Sequence, residues 1–148
     1  MSDSIRRFEH SHAHLASSML TLRRLVDGDA HDAQLVARVE EFRDQLLDHF
    51  ANEEEVLFPF IRERDAASAP AVDALIEAHD ALCASIVRLA HAIKHASPAT
   101  ARAAYAKFQT LYAKHSLDEA TLLEQLAERL SPAERRSLDE QWRALESS

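Results

Sequence analysis

Four stretches of this chain place apolar residues in alternating steps of three and four, a spacing that suits helices packed side by side. The first runs Ile5, Phe8, His12, Leu15, Met19, Leu22, Val26, and the second Leu35, Val39, Phe42, Leu46, His49, Glu53, Val56, Phe60. The third runs Val72, Leu75, His79, Leu82, Ile86, Leu89, Ile93, and the fourth Ala101, Tyr105, Phe108, Tyr112, His115, Glu119, Leu122, Leu126. Each seam is interrupted by one histidine, and two of them carry a glutamate one turn later. Apart from the two tyrosines, no other polar residue enters any seam.

Residues that stop helices fall between these stretches. One glycine and four prolines in 148 residues leave little turn material, which favours long helices on short connections. The glycine lies in "DGDAHD", between the first two stretches. "ERDAASAP" parts the second from the third, with Pro70 suited to a first helical turn, and "HASPAT" offers Ser97 as an N-cap before Pro98. "SPAE" has the spacing of a capping box, Ser131 to Glu134, and starts a short terminal helix. Pro59, late in the second stretch, predicts a kink or a loosened turn. The expected helices span 3–27, 32–63, 71–96 and 98–130, with a short one at 132–145. Short connections make neighbours antiparallel, so the expected fold is a single all-α domain over 1–148, an up-down-up-down four-helix bundle.

Charge and cysteine usage remove several functional classes. A formal net charge of −8 opposes binding to nucleic acid and offers no cationic membrane surface. No apolar run reaches membrane-spanning length, and "MSDSIRRFEH" lacks the apolar segment of a signal peptide. Cys83 is the only cysteine, so no internal disulfide forms, which suits a reducing compartment and a cytoplasmic location.

Heights along the helices bring the polar seam residues together. His12 lies 16 residues before Gly28, and His49 lies 18 after His31. His79 and His115 each lie 18 residues from Ser97. At about 1.5 Å per helical residue, His12 matches His49 and His79 matches His115, and all six residues meet in one layer. Burying unpaired imidazoles and carboxylates costs several kcal/mol each, against a total stability of about 5–15 kcal/mol. A hydrogen-bonded His/Glu network would have to satisfy every member. Divalent cations remove the difficulty, because they bind neutral imidazole and ionised carboxylate.

Six ligands exceed one tetrahedral zinc. Two metals carrying two histidines apiece, spanned by Glu53 and Glu119, use every group and leave open positions on both ions. Nitrogen-rich ligation with vacant positions suits iron better than magnesium or calcium, with other divalent metals as substitutes. A ferritin-like site needs two Glu-x-x-His motifs, and only Glu9 to His12 has that spacing among the seam histidines.

Neighbouring residues separate into outer faces and candidate partners. His14 stands about 200° round the helix from His12 and shares an outer face with His10. His91 and His95 also pair on an outer face, and His31 lies in a loop. Glu54 and Asp118 adjoin the two glutamates and are candidates to orient ligating imidazoles. Cys83 flanks the seam beside His79, and Tyr112 sits one turn before His115, within reach of a bound ligand.

The halves of the chain repeat. "HAHLASSMLTL" from His12 parallels "HDALCASIVRL" from His79, and "HFANE" at His49 parallels "HSLDE" at His115. This order, His then His-x-x-x-Glu, twice over, resembles the hemerythrin-like (HHE cation-binding) family from about His12 to Leu126. The resemblance implies a non-haem di-iron centre on His12, His49, Glu53, His79, His115 and Glu119, with carboxylate and oxo or hydroxo bridges. Oxygen-carrying hemerythrins add a fifth histidine one turn from the third-helix ligand, where this chain has Leu75 and Cys83. They also use an aspartate five residues after the fourth-helix histidine, where this chain has Ala120. The expected role is therefore sensing of, or defence against, oxygen, nitric oxide or peroxide, with a reductase as electron donor. Metal storage without redox chemistry and reversible oxygen carriage are the alternatives, and histidine phosphotransfer is disfavoured because all four histidines lie in the seams.

Overall fold

The computed structural model describes residues 3–28 and 31–146, which are helical almost throughout and contain no strand. Helix α1 spans Asp3–Asp27 and α2 spans Ala33–Asn52. A π-helical turn at Glu53–Leu57 joins α2 to α3, Phe58–Arg64. A 3-10 turn at Ala66–Ser68 leads into α4, Ala69–His95, followed by α5, Pro98–Arg129, and α6, Pro132–Glu146. No helix among the described residues is long and apolar enough to cross a membrane.

Side chains explain most of the helix starts. The Asp32 carboxylate accepts from the amides of Gln34 and Leu35, and Ser97 Oγ accepts from the Thr100 amide at 3.2 Å. Ser131 and Glu134 form a reciprocal capping box: the Glu134 amide donates to Ser131 Oγ at 3.1 Å and the Ser131 amide to Glu134 Oε1 at 3.0 Å.

Helix boundaries differ from the sequence expectation by one or two residues, and two places have a clear physical cause. The helix expected over 32–63, with a kink or loosened turn at Pro59, runs to Arg64 and carries a π turn at Glu53–Leu57. Pro59 has no amide hydrogen for the Glu55 carbonyl. The bonding widens just ahead of it, and the Phe58 amide reaches back to the Glu53 carbonyl. The extra residue in that turn brings Leu57, Phe58 and Ile61 into the core beside the seam positions Val56 and Phe60. The third long helix begins at Ala69 rather than 71, because Pro70 falls in its first turn, where an amide hydrogen is not needed.

Contacts between the helices count in opposite directions along each partner. Against α1, His49 meets Ser11 and Gln45 meets Ser18. On the other side of α1, Glu119 meets His12, the Tyr105 hydroxyl donates to the Met19 carbonyl, and Arg102 donates to the Asp27 and Gly28 carbonyls. Every seam position is buried except His12, which is partly exposed.

The apolar interior falls into two clusters. One holds residues such as Leu22, Phe42, Ile86 and Phe108, towards the 28–33 and 96–97 turns. The other gathers Ile5, Phe8, Phe58, Phe60, Leu126, Leu138 and Trp142 around the π turn, α3 and α6. The Trp142 ring meets Phe8 edge-on at 4.6 Å between centroids, so α6 closes the second cluster. Trp142→Ala should lower stability by about 3–5 kcal/mol, read as a shift of the urea midpoint followed by circular dichroism. A change below about 0.5 kcal/mol would mean that α6 is not part of the cooperative fold.

Candidate metal centre

Between the two apolar clusters the interior is polar. His49 and Glu53 lie one turn apart on one face, as do His115 and Glu119, so each helix aims an imidazole and a carboxylate inwards together. His12 from α1 and His79 from α4 complete the layer. His12 Nε2 lies 3.2 Å from Glu119 Oε2, and His115 Nε2 lies 2.9 Å from the same oxygen. His49 Nε2 lies 2.9 Å and His79 Nε2 3.6 Å from Glu53 Oε1.

These six residues compose two overlapping groups of four. One is His12, His49, Glu53 and Glu119, and the other is Glu53, His79, His115 and Glu119. Within each group, one nitrogen or oxygen from every residue lies within 4.8 Å of the rest. Both glutamates belong to both groups.

The layer's own polar atoms do not satisfy one another. His49 Nε2, both ring nitrogens of His79 and of His115, and all four oxygens of Glu53 and Glu119 are buried without a hydrogen bond. The 2.9 Å approaches within each His/Glu pair lack hydrogen-bond alignment, so proximity there is not pairing. Such atoms are costly in an apolar interior. A converging set of imidazole nitrogens and carboxylate oxygens fits divalent metals, which take the lone pairs that no protein donor meets.

Burial also keeps the imidazoles neutral. Desolvation, and then the neighbouring His12, lower His49 to about 4 against an opposing pull from Glu119. Desolvation followed by His12 and His49 lowers His115 to about 4, and desolvation followed by His115, His49 and His12 lowers His79 to about 3. Their lone pairs therefore stay available well below neutral pH.

The surroundings divide into residues legible from sequence and residues that were not. Glu54 Oε1 stands 3.8 Å from His79 Nδ1, beyond hydrogen-bond reach, and burial with the nearby Asp80 raises its carboxyl. Asp118 favours the charged form of His115 from an exposed position. Cys83 is half-buried against the first cluster, its thiol raised by burial, and Tyr112 is buried there with its ring stacked beside Phe108. His14 and His10 are exposed, and His31 bonds the Val26 carbonyl at 2.8 Å, away from the layer.

Three contacts escaped the seam reading. Ser11 Oγ lies 2.7 Å from His49 Nδ1, yet a serine beside the seam carries no signal of its own. Phe50 stacks on His79 with ring centroids 3.7 Å apart, and Phe58 stacks on it at 5.6 Å. Phe50 directly follows His49 in a helix, and only the arrangement of α2 against α4 turns it onto the histidine of another seam.

Comparison with protein families finds a match to the hemerythrin HHE cation binding domain over residues 3–127. Comparisons with curated proteins and with solved structures find no match.

The lowered imidazoles make the stability of the metal-free protein depend on pH. The unfolded chain takes up protons on these histidines near the ordinary value of 6.5, whereas the fold resists until about 4. Unfolding therefore binds protons within this window. Stability is complete above about pH 6.5 and falls as pH drops, by up to about 1.4 kcal/mol per unit for each histidine. Urea midpoints of metal-free protein should decline as pH falls from about 6.5 to 5.5, above the range where ordinary carboxylates titrate. A flat profile there would show that the imidazoles are not held neutral by the fold.

Proposed function

This chain belongs to the hemerythrin HHE cation-binding family, and on that premise we propose a di-iron centre that handles oxygen, nitric oxide or peroxide. Its role is sensing of these ligands or defence against them. We read α1, α2 with α3, α4 and α5 as an up-down-up-down four-helix bundle around that centre, a topology supported by the opposed contacts along α1. One observation carries the reading: two groups of four ligand residues share both Glu53 and Glu119. Shared carboxylates support a paired centre over two independent sites.

In this reading His12 and His49 would hold one metal and His79 and His115 the other, and Glu53 and Glu119 would serve both. When bound, the irons supply exchangeable positions and reducing equivalents to a small ligand. The protein supplies the rest. With Ser11 accepting from the Nδ1–H of His49, the Nε2 lone pair of that ring turns towards Glu53, and the two atoms need a cation between them. Phe50 and Phe58 cover His79 with apolar faces and keep water from that side. Leu75 and Cys83, one turn either side of His79, add no nitrogen, so the centre keeps positions open to ligand. That openness favours reaction over reversible carriage, and an external reductase restores the iron.

Substitutions test the ligand set through metal analysis after dialysis. Glu53→Gln and Glu119→Gln should each lower the affinity of both metals, whereas His49→Ala and His115→Ala should lower metal content and His14→Ala should not. Retention of one tightly held metal in either glutamine variant would refute the bridges.

Repeated exposure of the diferrous protein to oxygen tests the chemistry. Oxidation should be complete within a few cycles, with the iron-loaded form consuming peroxide or binding nitric oxide and the metal-free form doing neither. Many clean oxygen cycles without peroxide turnover would restore the carrier reading.

A further inference from the structure

The layer is not equally closed on all sides. His49, His79 and His115 are 4%, 2% and 3% exposed, whereas the His12 side chain is 20% exposed. Phe50 and Phe58 seal the α2–α4 side by stacking on His79. Solvent therefore approaches the layer from α1.

A solvent-open groove of about 220 Å³ runs between α1 and α5, beginning one turn beyond His12. Ala16, one turn beyond His12, and Ala113, two residues before His115, lie in its lining. Both are exposed, and their small side chains leave the space between the helices unfilled. Tyr112 belongs both to the groove lining and to the seam that carries His115 one turn later. Towards the far turn the groove is bounded by Tyr105, whose hydroxyl donates to the Met19 carbonyl at 3.0 Å. Arg23 also lines it, with its guanidinium 3.8 Å from the Asp27 carboxylate. Liquid water occupies about 30 Å³ per molecule, so this volume admits several waters, a diatomic gas, peroxide or azide.

We propose that small ligands reach the metal centre along the α1–α5 face, through this groove and past Tyr112 and His12, and that Ala16 and Ala113 keep the passage open. The proposal rests on the di-iron reading above and adds a route to it. It also makes Tyr112 the side chain that an incoming ligand meets before the histidines.

The test fills the passage at an exposed position. In iron-loaded Ala16→Trp, azide association and dissociation followed by stopped-flow absorbance should each slow by about tenfold, with iron content and azide affinity unchanged. Val87→Trp, at an exposed position on α4, should leave the rates as they are. Ala113→Trp repeats the test from the facing helix, should Ala16→Trp fold poorly. A second readout needs no metal: carbethoxylation of His12 by diethyl pyrocarbonate, located by fragment mass spectrometry, should slow in Ala16→Trp while His10 and His14 react as before. Unchanged azide rates in folded, iron-loaded Ala16→Trp and Ala113→Trp, or unchanged His12 modification, would overturn the route. Failure of the unaltered protein to hold iron would instead overturn the centre, while His12 modification would still report on the passage.

Discussion

Desolvation of four imidazoles and two carboxylates in one layer is the constraint around which this structure is organised. The charged forms of His49, His79 and His115 are penalised by burial and by neighbouring rings, so these three remain neutral far below the usual range. Neutral rings still need partners for their nitrogens, and the carboxylates need partners for their oxygens. Among the described residues only Ser11 meets a buried member of the layer with a hydrogen bond. An interior of this kind is stabilised by what it binds. Metal binding and folding are coupled here, because the ligands come from four separate helical segments.

The apolar clusters on either side support this view. They lie on opposite sides of the polar layer, and each closes its own end of the molecule. The first relies on the four long seams, while the second also needs α3 and α6, with Trp142 against Phe8. A cation at the layer would tie these regions together where the apolar packing is interrupted. The π turn falls at this junction, beginning at Glu53 itself. It turns Leu57, Phe58 and Ile61 into the second cluster without moving Glu53 off the seam. The loosened turn expected at Pro59 is therefore a local rewinding just ahead of it.

Asymmetry around the centre follows from the same residues. Aromatic rings cover the His79 side, whereas the His12 side chain is 20% exposed.

Much of this was determined by the sequence alone. The 3,4 spacing specified the core positions of all four seams, because a helix repeats every 3.6 residues and only one stripe can face inwards. Similar distances from the turns brought His12, His49, His79 and His115 to one level, with Glu53 and Glu119 one turn further on, because helical rise per residue is constant. Ser97, and Ser131 with Glu134, marked helix starts, because capping depends on local spacing. The tertiary structure decided what depends on neighbours distant in the chain. It placed Ser11 on His49 and Phe50 over His79, left His12 more open than the other three histidines, and opened the groove at Ala16 and Ala113. None of these contacts has a sequence period. Each arises where side chains of different helices meet, and that is set by how the helices pack against one another rather than by the spacing within any one of them.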